Sequence, residues 1–298
     1  MGEVEIKVAK SAGFCFGVRD AFNIALSAAN NTLEENVYML GHIVHNEHVV
    51  KQVVDAGVKV VDDISSVPSN STLVIRAHGT IPDAYERANG QGLNIIDATC
   101  PLVSEIHKVA LSLQEEGHQI IVIGDHGHDE VVGLAGYLKK PIIIATPDEI
   151  ATKIPRRYPK IGVVCQSTQD IENVQAILSI LSGKCKELSF VNTICAPTTQ
   201  HQRDIRAMPQ DVDIMIVVGS FTSANTCRLT SISKKINANT YQVESSQDLK
   251  PEWFDNIKRV GVTGGASTPD NIIAEVVKKI EEITGSNKSD SCTQLCPK

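Results

Sequence analysis

The sequence predicts an α/β protein built on small parallel sheets, and three observations carry that prediction. Short β-branched runs recur along the whole chain, segments with helical apolar spacing lie between them, and the unusual polar residues collect directly after the runs. In chain order the runs are VEIKVA, NVYML, VKVV, TLVIRA, LNIIDA, QIIVIG, PIIIA, IGVVC, LSFVN, IMIVVG, TYQVE and RVGVTG. Each is about 4–6 residues long without strict alternation, which is how strands buried on both faces of a parallel sheet read. Helical spacing marks VRDAFNIALSAA, VSEIHKVALSLQEE, IENVQAILSILSG and PDNIIAEVVKKIEEI, so strand alternates with helix through right-handed crossovers.

The polar segments share one topological position. YML is followed by GHIVHNEH, LVIR by AHGT, NIID by ATCP, IVIG by DHGHDE, GVVC by QST, FVNT by ICAPTT, IVVG by SFTSAN, and GVTG by GASTPD. Open parallel sheets bind ligands at the carboxyl ends of their strands, so these segments are candidates for one shared site. Cys15, Cys100 and Cys195 each lie at a strand-to-helix junction, 85 and 95 residues apart. That spacing predicts three similar units, 12–98, 99–192 and 193–283, each offering one thiol, with the N-terminal strand 3–9 packing against the third. The stretch 284–298 lacks periodicity and is expected to be a flexible tail.

Composition narrows the function. The 298 residues include 28 Lys and Arg against 35 Asp and Glu, a net charge of −7 that excludes an unselective grip on nucleic acid. No apolar run reaches the roughly 18–20 residues of a membrane span, and the N-terminus has no basic, apolar and small-residue leader pattern. A cytoplasmic location follows as the expectation. Eight cysteines in such a chain read as reduced thiols rather than a disulfide framework.

Among these, Cys15 (AGFCFGV), Cys100 (DATCPLV) and Cys195 (TICAPTT) stand before predicted helices, where the helix dipole favours thiolate, the metal-ligating form. None forms a C-x-x-C pair, so a zinc ribbon or redox pair is not indicated. Three converging thiols suit a four-iron cluster with one iron lacking a protein ligand; the alternative is three small buried hydrophobes. Cys165 reads as strand core, Cys185 and Cys227 as helix-side positions, and Cys292 and Cys296 as tail residues.

Eight of the nine histidines precede residue 130, leaving only His201 beyond. His42, His45 and His48 have i, i+3, i+6 spacing, one helical face if the segment is helical, while His78, His126 and His128 follow strands. Without an H-E-x-x-H spacing the zinc reading is weak, and the competing reading is a set of donors to an anion. His107, His118 and His201 read as ordinary helix or surface residues. Ser220, Thr222, Ser223 and Asn225, with Ser267 and Thr268, open helices after strands and can wrap phosphate oxygens or simply cap those helices. Glu130 is the candidate proton donor, with Asp129 its competitor and either acid a possible helix cap; Ser167 and Thr168 can orient a hydroxyl or form a local turn. Arg76 reads as structural.

Taken together, GFCFGV, VHN, AHG, DATCPLV, GHDEV, QST, TIC, GSFTSAN and GVTGGASTPD, in order over residues 5–283, resemble the family of 4-hydroxy-3-methylbut-2-enyl diphosphate reductases, the LytB-type enzymes that end the methylerythritol phosphate route to isoprenoids. The resemblance implies a trefoil of three pseudo-equivalent α/β units around a 4Fe–4S cluster held by Cys15, Cys100 and Cys195. It implies diphosphate binding by His45, His78, His128, Ser223, Asn225 and Ser267, and proton delivery by Glu130 beside His128, with Ser167 and Thr168 near the substrate hydroxyl. The implied reaction is reductive dehydroxylation to isopentenyl and dimethylallyl diphosphate, with electrons from an external donor of ferredoxin or flavodoxin type. Four positions depart from the family pattern: Ala224 and Asp125 replace a serine and a histidine, Asp129 a proline, and Ser167 a threonine. A carboxylate repels a diphosphate, so Asp129 is expected to point away from it. Two other classes remain: a quinolinate-synthase-like dehydratase, which the diphosphate motifs oppose, and a non-catalytic anion-binding protein with buried cysteines.

Overall fold

The computed structural model describes residues 4–31 and 36–285; Cys292, Cys296 and the tail expected beyond Gly285 lie outside them. All twelve β-branched runs are strands: β1 (Glu5–Val8), β2 (Val37–Leu40), β3 (Lys59–Val61), β4 (Thr72–Ile75), β5 (Asn94–Asp97), β6 (Gln119–Ile123), β7 (Ile142–Ile144), β8 (Tyr158–Cys165), β9 (Cys185–Phe190), β10 (Ile214–Val218), β11 (Thr240–Val243) and β12 (Arg259–Gly264). They form three four-stranded sheets, ordered β3-β2-β4-β5, β7-β6-β8-β9 and β1-β12-β10-β11. Every pairing is parallel, and β1 joins the last sheet through Glu5 opposite Arg259 to Val8 opposite Val262.

The helices are α1 (Phe16–Asn31), α2 (Glu47–Asp55), α3 (Pro82–Gly90), α4 (Pro101–Glu115), α5 (Asp129–Tyr137), α6 (Ile150–Lys153), α7 (Ile171–Leu181), α8 (Ala196–Ala207), α9 (Ala224–Ile236) and α10 (Asp270–Thr284). By packing, the chain divides into two compact units, Cys15–Thr199, which holds two sheets, and Met1–Phe14 with Gln200–Lys298, which holds the third.

The second sheet shows why its strands read as unbroken apolar runs. Ile121, Ile123, Ile161, Val163 and Cys165 face one side, against Val174, Ile177 and Leu181 of α7. The alternate residues Ile120, Val122 and Val164 face the other, against Ile106, Ala110 and Leu113 of α4 and Val131 and Leu134 of α5. Each such side chain contributes roughly 1.5–3 kcal/mol of burial, so a polar residue on either face is selected against. The third sheet repeats the plan, with Ile216, Val218 and Val262 against α10 and Met215 and Val217 against Ile205, Leu229 and Ile232.

Three sequence expectations change here. The segment with His42, His45 and His48 is not one helical face, because Gly41 takes φ +66° and Asn46 caps α2, its side-chain oxygen accepting from the Val49 N–H at 3.3 Å. His42 and His45 therefore precede the helix. Cys185 opens β9 rather than sitting on a helix, and its buried thiol packs into the core of the second sheet. His118 is neither in a helix nor on the surface but buried, held between the Leu113 carbonyl and the Ser189 hydroxyl, both at 3.0 Å, whereas His201 lies in α8 as expected, with its side chain buried.

Candidate functional site

Each of Cys15, Cys100 and Cys195 is the residue immediately before a helix, α1, α4 and α8 respectively. In two of the sheets the corner is built the same way. Beyond the β4–β5 ladder the Cys100 N–H donates to the Ala77 carbonyl at 3.0 Å, and beyond the β8–β9 ladder the Cys195 N–H donates to the Ser167 carbonyl at 3.0 Å. Thr193 fixes the approach to Cys195, its hydroxyl donating to the Cys165 carbonyl and accepting from the Cys165 N–H, both at 2.7 Å. For Cys100 and Cys195 the matching positions thus reflect a shared place beyond the ends of parallel strands.

The helix-start N–H groups do point at sulfur: Val18 N lies 3.5 Å from the Cys15 Sγ and Thr198 N lies 3.4 Å from the Cys195 Sγ. The expected thiolate bias nevertheless loses. Burial outweighs those donors and raises all three thiols, Cys195 to about 11, and the Cys15 thiol is a mutual electrostatic neighbour of the other two. The charge of Glu130 also raises Cys100 and Cys195. Gly17 makes room for sulfur, since a Cβ there would stand 2.4 Å from the Cys100 Sγ.

Glu130 is 3% exposed in the first turn of α5. Both carboxylate oxygens are held by one residue: Ser167 donates its N–H to Oε1 and its hydroxyl to Oε2, each at 2.6 Å. Thr168 accepts from the Gln166 side-chain N–H₂ at 3.0 Å, and the side-chain oxygen Oε1 of Gln166 accepts from the Asp125 N–H at 2.8 Å. Gln166, to which the sequence assigned no role, therefore ties the β6 and β8 loops together.

His45, His78 and His128 come from three separate loops into one group, with ring centroids 4.4, 5.2 and 5.5 Å apart and ligand atoms within 4.8 Å of one another. His126 stands elsewhere, paired with Glu149 at 2.8 Å. Burial and neighbouring positive groups hold His78 well below the usual imidazole range, and burial lowers His45. Neutral imidazoles bind metals as well as anions, but the His128 tautomer separates the two. As the cap of α5, His128 Nδ1 accepts from the Glu130 N–H at 3.2 Å, so the neutral ring carries its proton on Nε2 as a donor. A donor suits an oxyanion and not a cation.

Asp129 does not point away from these histidines. Its Oδ2 lies 2.7 Å from Arg76 Nη1 and 3.5 Å from His45 Nε2. Arg76 supplies the reason, because its charge offsets the carboxylate at short range. No local pattern could announce a pair 53 residues apart in sequence.

In the other unit Ser223 caps α9, its hydroxyl accepting from the Thr226 N–H at 3.4 Å. Asn225 is 5% exposed and its buried side-chain N–H₂ has no hydrogen-bond partner, a donor left for a ligand. Ser267 is buried on the loop after β12, and Thr268 donates to the Val218 carbonyl at 2.9 Å.

Three parallel four-stranded sheets with three half-buried thiols, a buried glutamate and a histidine group at strand ends define an α/β enzyme class with its chemistry on loops. The LytB protein family matches residues 6–281, and the chain belongs to that family. It is 37% identical over 286 residues to the 4-hydroxy-3-methylbut-2-enyl diphosphate reductase of Geobacter metallireducens, covering 96% of this chain and 100% of the relative. To the enzyme of the same name from Aquifex aeolicus it is 38% identical over 284 residues, covering 94% of this chain and 97% of that one. Among solved structures, a (E)-4-hydroxy-3-methyl-but-2-enyl diphosphate reductase described as the terminal enzyme of the non-mevalonate pathway superposes with TM-score 0.69 at 37% identity, over 94% of this chain and 99% of that one. The E-1-hydroxy-2-methyl-but-2-enyl-4-diphosphate reductase from Plasmodium falciparum superposes with TM-score 0.88 at 27% identity, over 94% and 89%. No helix among the described residues is long and apolar enough to cross a membrane.

Proposed function

We propose that this chain reduces 4-hydroxy-3-methylbut-2-enyl diphosphate to isopentenyl and dimethylallyl diphosphate. The allylic C–O bond breaks, the oxygen leaves as water, and two electrons and two protons enter, the electrons from an external ferredoxin- or flavodoxin-type donor. The observation that carries the reading is geometric and lies within one unit: Ser167 holds both oxygens of the Glu130 carboxylate and its carbonyl anchors the Cys195 N–H, while the Cys100 sulfur lies against Gly17, two residues beyond Cys15.

The thiols fit an iron–sulfur group. They are free and half-buried, the Cys100 sulfur occupies space a Gly17 Cβ would fill, and burial disfavours thiolates that lack a compensating cation. Cys15, Cys100 and Cys195 would hold a 4Fe–4S cluster, which when bound supplies electrons and one iron without a protein ligand as a Lewis acid. The division into units 12–98, 99–192 and 193–283, one thiol each, belongs to the same proposal; all strands of each sheet except β1 fall within one of these spans.

Around that group the chain's own residues bind and protonate. His45, His78 and His128 hold the diphosphate, with His128 donating from Nε2, and Ser223, Asn225 and Ser267 are assigned as further donors to it. Glu130 delivers the proton; Ser167 fixes the carboxyl plane through two bonds, so the acid presents one geometry to the allylic carbon skeleton. Thr168, with Ser167, orients the substrate hydroxyl.

Anaerobic turnover of the iron-replete protein with the hydroxylated diphosphate and an artificial reductant tests this, and both product diphosphates are expected. A protein that takes up no iron on reconstitution, or takes it up and forms neither product, overturns the reading.

A further inference from the structure

Asp129 is an anion built into a group of histidines assigned above to an anion. Its carboxylate is pinned rather than free to swing out. Arg76 Nη1 holds Oδ2 at 2.7 Å, and the guanidinium is itself lodged against Gly41, where a Cβ would stand 2.6 Å from Nη1, with its Nε directed at the Gly79 carbonyl at 3.4 Å. Gly41 adopts φ +66°, a conformation that costs other residues energy, so the loop geometry accommodates the arginine at that spot. The same carboxylate oxygen lies 3.5 Å from His45 Nε2.

We propose that Asp129 is a positioning residue that makes His45 the histidine which takes up a proton when the diphosphate binds, with Arg76 holding Asp129 in place. The proposal rests on the diphosphate reading of the histidine group.

The asymmetry comes from what faces each ring. His45 meets Asp129 and His128 from the start of α5, Arg76 and His78 from the end of β4, and His42 from its own loop; Asp129 is the one anionic group among them. Among the described residues the groups acting on His78 are His45, His128 and Arg76, none of them a carboxylate. In the free protein burial and the nearby cations keep both rings neutral. A diphosphate adds negative charge to all three histidines, but at His45 it adds to a carboxylate already present, so His45 crosses into the protonated form first. The proton comes from solvent, and the imidazolium then donates to the carboxylate or the diphosphate, the stronger class of hydrogen bond.

The test is calorimetric titration of the cluster-loaded protein with inorganic pyrophosphate between pH 6 and 8.5, in buffers of different ionisation heat, which counts protons taken up per ligand bound. Protons exchanged by pyrophosphate itself are common to every variant, so differences read the protein. The wild type takes up an extra proton on binding. Asp129→Asn keeps a hydrogen bond to Arg76 yet loses that uptake near neutral pH, its midpoint moving about one unit or more toward acid. Asp129→Glu retains the uptake, and His45→Gln abolishes it. Uptake in Asp129→Asn with the wild-type midpoint, or persisting in His45→Gln, overturns the assignment while leaving the diphosphate site intact. Failure of pyrophosphate to bind the wild type at all overturns the site reading itself, a distinguishable result.

Discussion

At Glu130 one neighbour, Ser167, holds both carboxylate oxygens. Ser167 supplies both donors to the carboxylate and, through its carbonyl, also anchors the Cys195 N–H, so one residue registers the acid against a thiol loop. Glu130→Gln can reproduce the pattern, its amide oxygen accepting from the Ser167 N–H and its N–H₂ donating to the hydroxyl. Iron content and pyrophosphate affinity are therefore expected to survive while kcat falls by about 10²–10⁴; wild-type turnover would move the proton to another group. Ser167→Ala deletes one of the two bonds and is expected to lower kcat by roughly tenfold, the worth of one such hydrogen bond. Cysteine substitutions separate on the same scale. Cys100→Ser is expected to lose the iron, whereas Cys165→Ser keeps it and loses about 1–3 kcal/mol of stability, since it buries a hydroxyl in the core around β8. Iron analysis beside chemical denaturation reads both, and full iron in Cys100→Ser refutes its role as a ligand.

At the level of elements, each thiol is placed by the helix it precedes, and the packing of that helix against its neighbours sets where sulfur goes. Gly17, in the first turn of α1, lies against the Cys100 Sγ that precedes α4. Gly17→Ala is expected to force the two apart and to depress iron retention several-fold, while Gly183→Ala, with nothing within 4 Å, leaves retention unchanged. Equal retention in both would show that the α1–α4 approach does not matter. This level was also the most legible. All twelve strands were readable because parallel strands buried on both faces must be apolar throughout, and the three thiols stood out because ligands collect at strand ends. What escaped the sequence depended on distance or on competition. Asp129 and Arg76 meet across a long chain separation, and the sign of the thiol shift turned on burial defeating helix-start donors. The histidine spacing misled because Asn46 starts α2 after His45, a capping preference stronger than an apparent 3.6-residue period.

The whole molecule carries a pH dependence in its buried imidazoles. His45, His78, His107 and His201 all titrate below the ordinary imidazole range because burial penalises the charged ring. The folded state therefore binds fewer protons than the unfolded chain once pH drops below about 6.5, and stability falls with acidification through that range. Thermal unfolding of the free protein should show Tm lower at pH 5.5 than at 7.5, in the window above carboxylate titration. A diphosphate reverses the trend for its own binding, because it favours protonated histidines; pyrophosphate should stabilise the protein more at pH 6.5 than at 8.

Burial of the three thiols also bears on the chain's life before it would take up the proposed cluster. A protonated sulfur is a poor nucleophile and a slow target for oxidants. Neighbouring thiols would ordinarily be at risk of oxidation, yet burial holds Cys15, Cys100 and Cys195 in their protonated, least reactive form, and the proposed cluster would have to displace those protons on binding. Among the described residues Cys227 is the exposed thiol, so a brief pulse of alkylating agent on the iron-free protein should mark Cys227 well before any of the three. The same desolvation that withholds charge from the sulfurs thus acts as a preservative, keeping the newly made chain fit for maturation.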